Sequence, residues 1–179
     1  VEVPLIRLPA PSRETYRVRI DAKATTIEAA TAIGQRYANH VLAQLDSHYG
    51  HSVPPLVIED WPSFATRGVM LDVSRDRVPT LKELSDIAHS LASMRINHLQ
   101  LYTEHTFAYA GHEEVWRDWS PLTPRIVQDL QAHCELLGIE LSANQNCFGH
   151  LAKWLNHPRY APLAETTGDW VFQNETESF

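Results

Sequence analysis

The period of the apolar positions changes along the chain. Tyr16, Val18 and Ile20 alternate with Arg17 and Arg19, the period-two pattern of a strand with one face in water, and a second strand is expected at residues 25–30. From about Gly34 the spacing lengthens. Tyr37, Val41, Leu45 and Tyr49 recur every four residues, which predicts a helix with one apolar stripe that Gly50 ends. Leu56-Val57-Ile58, after Pro54-Pro55, adds a short strand. Residues 1–62 therefore read as a small α+β domain, and Trp61-Pro62-Ser63 as the hinge into a second domain, residues 63–179.

Beyond the hinge, three short apolar runs each end in polar and ionisable residues. They are Val69-Met70-Leu71-Asp72-Val73-Ser74-Arg75, His98-Leu99-Gln100-Leu101-Tyr102-Thr103-Glu104-His105 and Ile139-Glu140-Leu141-Ser142-Ala143-Asn144-Gln145-Asn146. Helical patterns separate them. Thr80 with Glu83 is a capping box, and Leu81, Leu84, Ile87, Ala88 and Leu91 form the buried face that follows. Thr123-Pro124 is a cap with proline at the first helical position; Ile126, Val127, Leu130 and Leu137 line that helix, and Gly138 ends it. Strand, helix, strand, helix, strand is the order of an α/β unit with right-handed crossovers. Its C-terminal strand ends fall on one face, where such folds place their chemistry.

Composition narrows the function classes. The chain has 179 residues, is 44% hydrophobic and carries a formal net charge of -7, so it suits neither nucleic acid nor an anionic membrane surface. No apolar stretch reaches the about 20 residues of a membrane span, and no signal sequence opens the chain. Cys134 and Cys147 lack the dense spacing of a disulfide framework, which points to a reducing, cytoplasmic setting. The chain begins with Val1 and reads as an excised piece.

Two motifs carry a resemblance. Arg67-Gly68-Val69-Met70-Leu71-Asp72-Val73-Ser74-Arg75 resembles the signature that opens the catalytic barrel of glycoside hydrolase family 20, the β-N-acetylhexosaminidases. Phe148-Gly149-His150 resembles the Pro-Gly-His that follows the third barrel strand there, and the preceding α+β unit is similar to the domain that precedes that barrel. The resemblance implies a partial TIM (β/α) barrel, about the first three β/α repeats; the stretch from Arg67 to Phe179 is less than half of the about 250 residues of a complete one. It implies a carbohydrate substrate, with Arg67 gripping sugar hydroxyls through its planar donor fork and His150 as an active-site histidine. A structural arginine paired with Asp72 or Asp60, and a loop histidine bonded to backbone, are the alternatives. Asp72 sits inside an apolar strand and is expected to have a structural partner.

The departures are equally specific. Where the family shows His-x-x-Asp-Asp after the second strand, this chain has Gln100-Leu101-Tyr102-Thr103-Glu104, and where it shows Pro-Glu-x-Asp, this chain has Ala143-Asn144-Gln145-Asn146. Amides keep hydrogen bonding but carry no charge. This marks a divergent subfamily whose sugar preference the resemblance does not fix. In the family the substrate's acetamido oxygen attacks the anomeric carbon, an Asp orients that amide and the neighbouring Glu protonates the leaving oxygen. No Asp-Glu pair occurs in this chain, so the pair is expected beyond Phe179 and no catalytic residue is assigned within it. Arg67, Glu104, Asn146 and His150 are the expected substrate-binding residues, all at one end of the strand bundle, with Arg67 reaching along the barrel from the start of its strand.

Other constellations carry less. His105, His112, His150 and His157, with Glu104 and Asn146 nearby, invite a metal, yet no ligand spacing on one helix is present, so no metal and no cofactor are expected. Tyr109, Trp116 and Trp119 form an aromatic insert that suits a sugar platform or the anchoring of a long loop. Glu113-Glu114 reads as solvated. Ser74 and Ser142 have no glycine elbow, and Cys147 no arranged base. Two functions remain: one portion of a hexosaminidase-like glycoside hydrolase, inactive alone, or a non-catalytic carbohydrate-binding or scaffolding protein. An open barrel should leave a free strand edge and an apolar interior face, and so promote self-association, through strand pairing or exchange of the segment around Trp170-Val171-Phe172.

Overall fold

The computed structural model describes residues 12–50, 52–75 and 77–165, so Trp170-Val171-Phe172 lies outside the described residues. The chain divides into two compact units between Arg67 and Gly68, five residues after the hinge read at Trp61-Pro62.

In the first unit, β1 (Tyr16–Ile20), β2 (Thr25–Ala29) and β3 (Leu56–Asp60) form an antiparallel sheet in the order β2-β1-β3. The alternation does what its period requires. Tyr16 and Val18 face inward with Ile27 and Ala29 against Tyr37 and Ala38 of α1 (Ala32–Tyr49), while on the wet face Arg17 sits between Glu28 and Glu59, its partners in register on either side. The helical stripe fades toward its end: Tyr37 is buried, but Tyr49 is exposed, because the sheet is too short to cover the last turn. Gly34 has a steric role. A Cβ there would lie 2.5 Å from the Thr15 carbonyl oxygen, so only glycine lets α1 approach the start of β1 this closely.

In the second unit, β4 (Gly68–Asp72), β5 (His98–Thr103) and β6 (Glu140–Gln145) form a parallel sheet in the order β4-β5-β6, with Met70, Gln100 and Ser142 in one row and Asp72, Tyr102 and Asn144 in another. The crossover helices begin and end where the sequence signals them. Thr80 and Glu83 close the capping box of α2 (Leu81–Ser93) at 2.8 and 3.3 Å, and Thr123 caps the helix that starts at Pro124. That helix runs to Leu137, where Gly138 turns out with φ 76 and Ile139 donates back to the Cys134 carbonyl. A four-residue helix, α3 (Glu113–Trp116), precedes it, so it is α4; α5 (Ala152–Leu155) follows β6.

One face of the sheet, with Val73, Leu99 and Leu101, packs on Leu84, Ala88 and Leu91 of α2 and on Leu130 and Cys134 of α4. The other face carries Met70, Gln100, Tyr102, Ser142 and Asn144. This corrects the expectation of an apolar interior face: Met70 is 57% exposed, and its neighbours are polar, with Asn144 donating to Gln100 Oε1 at 3.2 Å.

Burial pushes the Cys134 thiol up to about 11. The folded state therefore holds this proton more tightly than the unfolded chain does. The associated stability is complete below the ordinary thiol range and is lost as pH rises toward 11. Denaturant titrations between pH 8 and pH 11 (roughly the span bracketing both thiol values) should show a steeper loss in wild type than in Cys134→Val, and exposed Cys147 should be alkylated in the folded protein while Cys134 is not.

Candidate functional site

The polar tails of the three parallel strands meet around one carboxylate. Glu104 directly follows β5, and its residue is only 7% exposed. A buried carboxylate must be surrounded by donors. Its Oε1 accepts from Tyr102 Oη at 2.8 Å and from Arg75 Nη2 at 3.0 Å, and its backbone N–H donates to Ser74 Oγ at 2.6 Å. Ser74 Oγ lies 3.0 Å from Thr106 Oγ1, and the Glu104 carbonyl accepts from Gln145 Nε2 at 2.9 Å and Trp154 Nε1 at 2.6 Å. All three strands thus converge on this one residue.

Arg75 joins the cluster from β4. Asp72 pairs with it while accepting from the Ser74 amide, which is the structural role expected of that aspartate. Burial disfavours charge on Arg75, but the bond to Asp72 and the charges of Glu104 and Asp72 outweigh it, and the pKa is raised. Burial likewise lifts the Tyr102 phenol; the bond from Asn146 pulls it down, and Glu104 pushes it up again.

The loop after β6 completes the site. The Asn146 amide N–H donates to the Thr103 carbonyl at 2.9 Å, its Nδ2 donates to Tyr102 Oη at 2.7 Å, and its Oδ1 accepts from the amides of Phe148 at 3.4 Å and Gly149 at 3.2 Å. His150, at φ 52, brings Nδ1 within 3.3 Å of Arg75 Nη2 and 3.9 Å of Glu104 Oε1. The structure therefore gathers Glu104, Asn146 and His150 at the C-terminal strand ends. Arg67 lies in the first unit, just before β4, where Glu14 pairs with it at 3.0 Å and the Phe64 carbonyl accepts from it at 2.8 Å.

The aromatic insert is anchored rather than free. Trp116 Nε1 donates to the Tyr109 carbonyl, Tyr109 Oη donates to Gln145 Oε1 at 3.1 Å, and the Lys153 ammonium lies 4.7 Å from the Trp119 ring centre. Glu114 corrects the solvated reading: Tyr160 Oη and Arg159 Nη1 donate to it at 3.1 and 3.3 Å, while Tyr160 Oη is also 2.5 Å from His112 Nδ1. Sequence reasoning did not assign roles to Arg75, Tyr102 and Trp154. Arg75 could have been found, since it ends an apolar run on the same side as the other polar tails. Among the described residues, no group of three or more His, Cys, Asp and Glu side chains is arranged to hold a metal ion, and no helix is long and apolar enough to cross a membrane.

No family model matches the chain. A β-hexosaminidase of Vibrio furnissii is 36% identical over 84 residues, 46% of this chain and 14% of its own length. The β-N-acetylhexosaminidase of Cellulomonas fimi is 32% identical over 118 residues, 64% of this chain and 22% of its own. The fold is shared with the glycoside hydrolase family 20 β-N-acetylhexosaminidase of Streptomyces coelicolor, at a TM-score of 0.73 and 22% identity over 84% of this chain and 35% of that one. The chain is thus similar in sequence to β-hexosaminidases and shares the fold of a glycoside hydrolase family 20 β-N-acetylhexosaminidase. It spans less than a third of the length of the curated relatives it matches.

Glu104→Gln should keep an acceptor for Tyr102 but remove the charge opposite Arg75. Losing one partner of a fully buried ion pair costs about 3–5 kcal/mol. Arg75 is 45% exposed at its side chain and keeps Asp72, so a smaller loss, about 1–2 kcal/mol, is expected in urea denaturation. Glu104→Ala should cost more, because Tyr102 then loses its acceptor too.

Proposed function

We propose that this chain forms one wall of the sugar pocket of a β-N-acetylhexosaminidase-like glycoside hydrolase. The observation that carries the reading is the buried Glu104, tied to Arg75, Tyr102 and, through Tyr102, Asn146 at the C-terminal ends of three parallel strands, on a fold shared with such enzymes. On this reading the three strands are about the first three of eight barrel repeats. Carboxylate, guanidinium, amide and imidazole at one edge supply the mixture of donors and acceptors that a pyranose's hydroxyls and acetamido group require. Glu104, Asn146 and His150 are the proposed contacts.

Retaining, substrate-assisted hydrolysis needs an Asp to orient the acetamide and a Glu to protonate the leaving oxygen. This chain has no Asp-Glu pair, so on the proposal another stretch of a longer protein supplies it. The chain's own residues bind and orient the sugar. One observation favours the second reading, a carbohydrate-binding protein without catalysis: Asn144 and Asn146 stand where the family has acids.

The assay is release of p-nitrophenol from a p-nitrophenyl N-acetyl-β-glucosaminide. The 179-residue chain should give no turnover above background, and a longer protein containing it should hydrolyse this substrate and lose at least tenfold in kcat/KM on Glu104→Ala, about 1.4 kcal/mol or more. Turnover by the chain alone that vanishes on Glu104→Gln would make Glu104 the acid and overturn the assignment. Sugar binding without turnover by the longer protein would support the binding reading.

A further inference from the structure

We infer that Tyr102 is a positioning residue, whose hydroxyl sets the orientation of the Asn146 amide and thereby orders the loop from Cys147 to His150. A phenol has one proton. Tyr102 Oη has Glu104 Oε1 at 2.8 Å and Asn146 Nδ2 at 2.7 Å, and the carboxylate can only accept. The phenolic proton is therefore committed to Glu104, and Oη is left as an acceptor toward Asn146.

That leaves one choice for the amide. Nδ2, the donor end, must face Tyr102, and Oδ1 must face the other way, where the N–H groups of Phe148 at 3.4 Å and Gly149 at 3.2 Å need an acceptor. A flipped Asn146 would set two acceptors against each other at Oη and two sets of donors against each other at the loop. The charge on Glu104 thus reaches the Asn146 amide through the Tyr102 hydroxyl, while His150 at the end of the loop lies near Glu104 and Arg75 directly. The loop the hydroxyl orders ends at His150, whose left-handed backbone is unfavourable for a residue with a Cβ and so depends on external support.

An aspartate accepts at both ends, so either oxygen serves the loop amides without help from Tyr102, while the oxygen facing Oη competes with Glu104 for the one phenolic proton. This gives the test its selectivity. Backbone 15N relaxation of Cys147, Phe148 and Gly149 in the 179-residue protein should give order parameters near 0.85 in wild type, falling below about 0.6 in Tyr102→Phe, with β5 unchanged. In the Asn146→Asp background the loop should stay ordered, and adding Tyr102→Phe should change nothing. Equal loosening by Tyr102→Phe in both backgrounds would mean that the hydroxyl merely fills space, and an unchanged loop in the single variant would also overturn the inference. The consequence for sugar binding rests on the proposed function: a longer protein carrying Tyr102→Phe should show a raised KM for the N-acetylglucosaminide with kcat changed less. The relaxation data stand without any sugar, so a failure of the hydrolase reading and a failure of this one are told apart.

Discussion

A single buried carboxylate constrains the second unit. Glu104 sits at the end of β5 with almost no contact with water, where an unpartnered charge would be prohibitively costly. Each neighbouring strand answers with a donor: Arg75 from the tail of β4, Tyr102 from β5 itself, and Trp154 and Gln145 on the Glu104 carbonyl from beyond and within β6. The residue's own amide is used by Ser74. The backbone and side chain of one position thereby tie three successive strand ends together. The register Asp72↔Tyr102↔Asn144 makes this possible, because it brings the three polar tails level.

Much of this was legible in the sequence where the cause is local. Thr80 with Glu83, Thr123 with Pro124, and Gly138 mark helix ends through bonds within three or four residues, and all are found as read. The parallel strands were placed by three short apolar runs, within one of which Leu99 and Leu101 alternate with Gln100 and Tyr102. That alternation also held the answer to the misjudged open face. Gln100, Tyr102, Ser142 and Asn144 share the side away from the helices, so the face is polar. What could not be read is what depends on register between strands: that Arg75 would reach Glu104, that Tyr102 would lie between Glu104 and Asn146, and that Glu14 would pair with Arg67 across 53 positions.

The divergence from related hexosaminidases has a physical pattern. Where the family places acids after the third strand, this chain places amides, and the remaining carboxylate is flanked by an arginine and a phenol. Fewer charges at one edge reduce mutual repulsion, and they also make the site depend on orientation, since an amide has a donor end and an acceptor end. A phenol bonded to a carboxylate resolves that orientation. The polarity of these strand ends is thus retained with one anionic centre beside Asp72 and its arginine.

On the proposed function, the C-terminal strand ends are a wall that binds acetamido sugars. The most direct measurement is an NMR titration of the 15N-labelled 179-residue protein with N-acetylglucosamine, in parallel with glucose. The account predicts shift changes at residues 74–75, 102–106 and 146–150, stronger for the acetamido sugar, and none at the opposite edge around His98 and Glu140. Changes centred on that opposite edge, or identical responses to the two sugars, would contradict it.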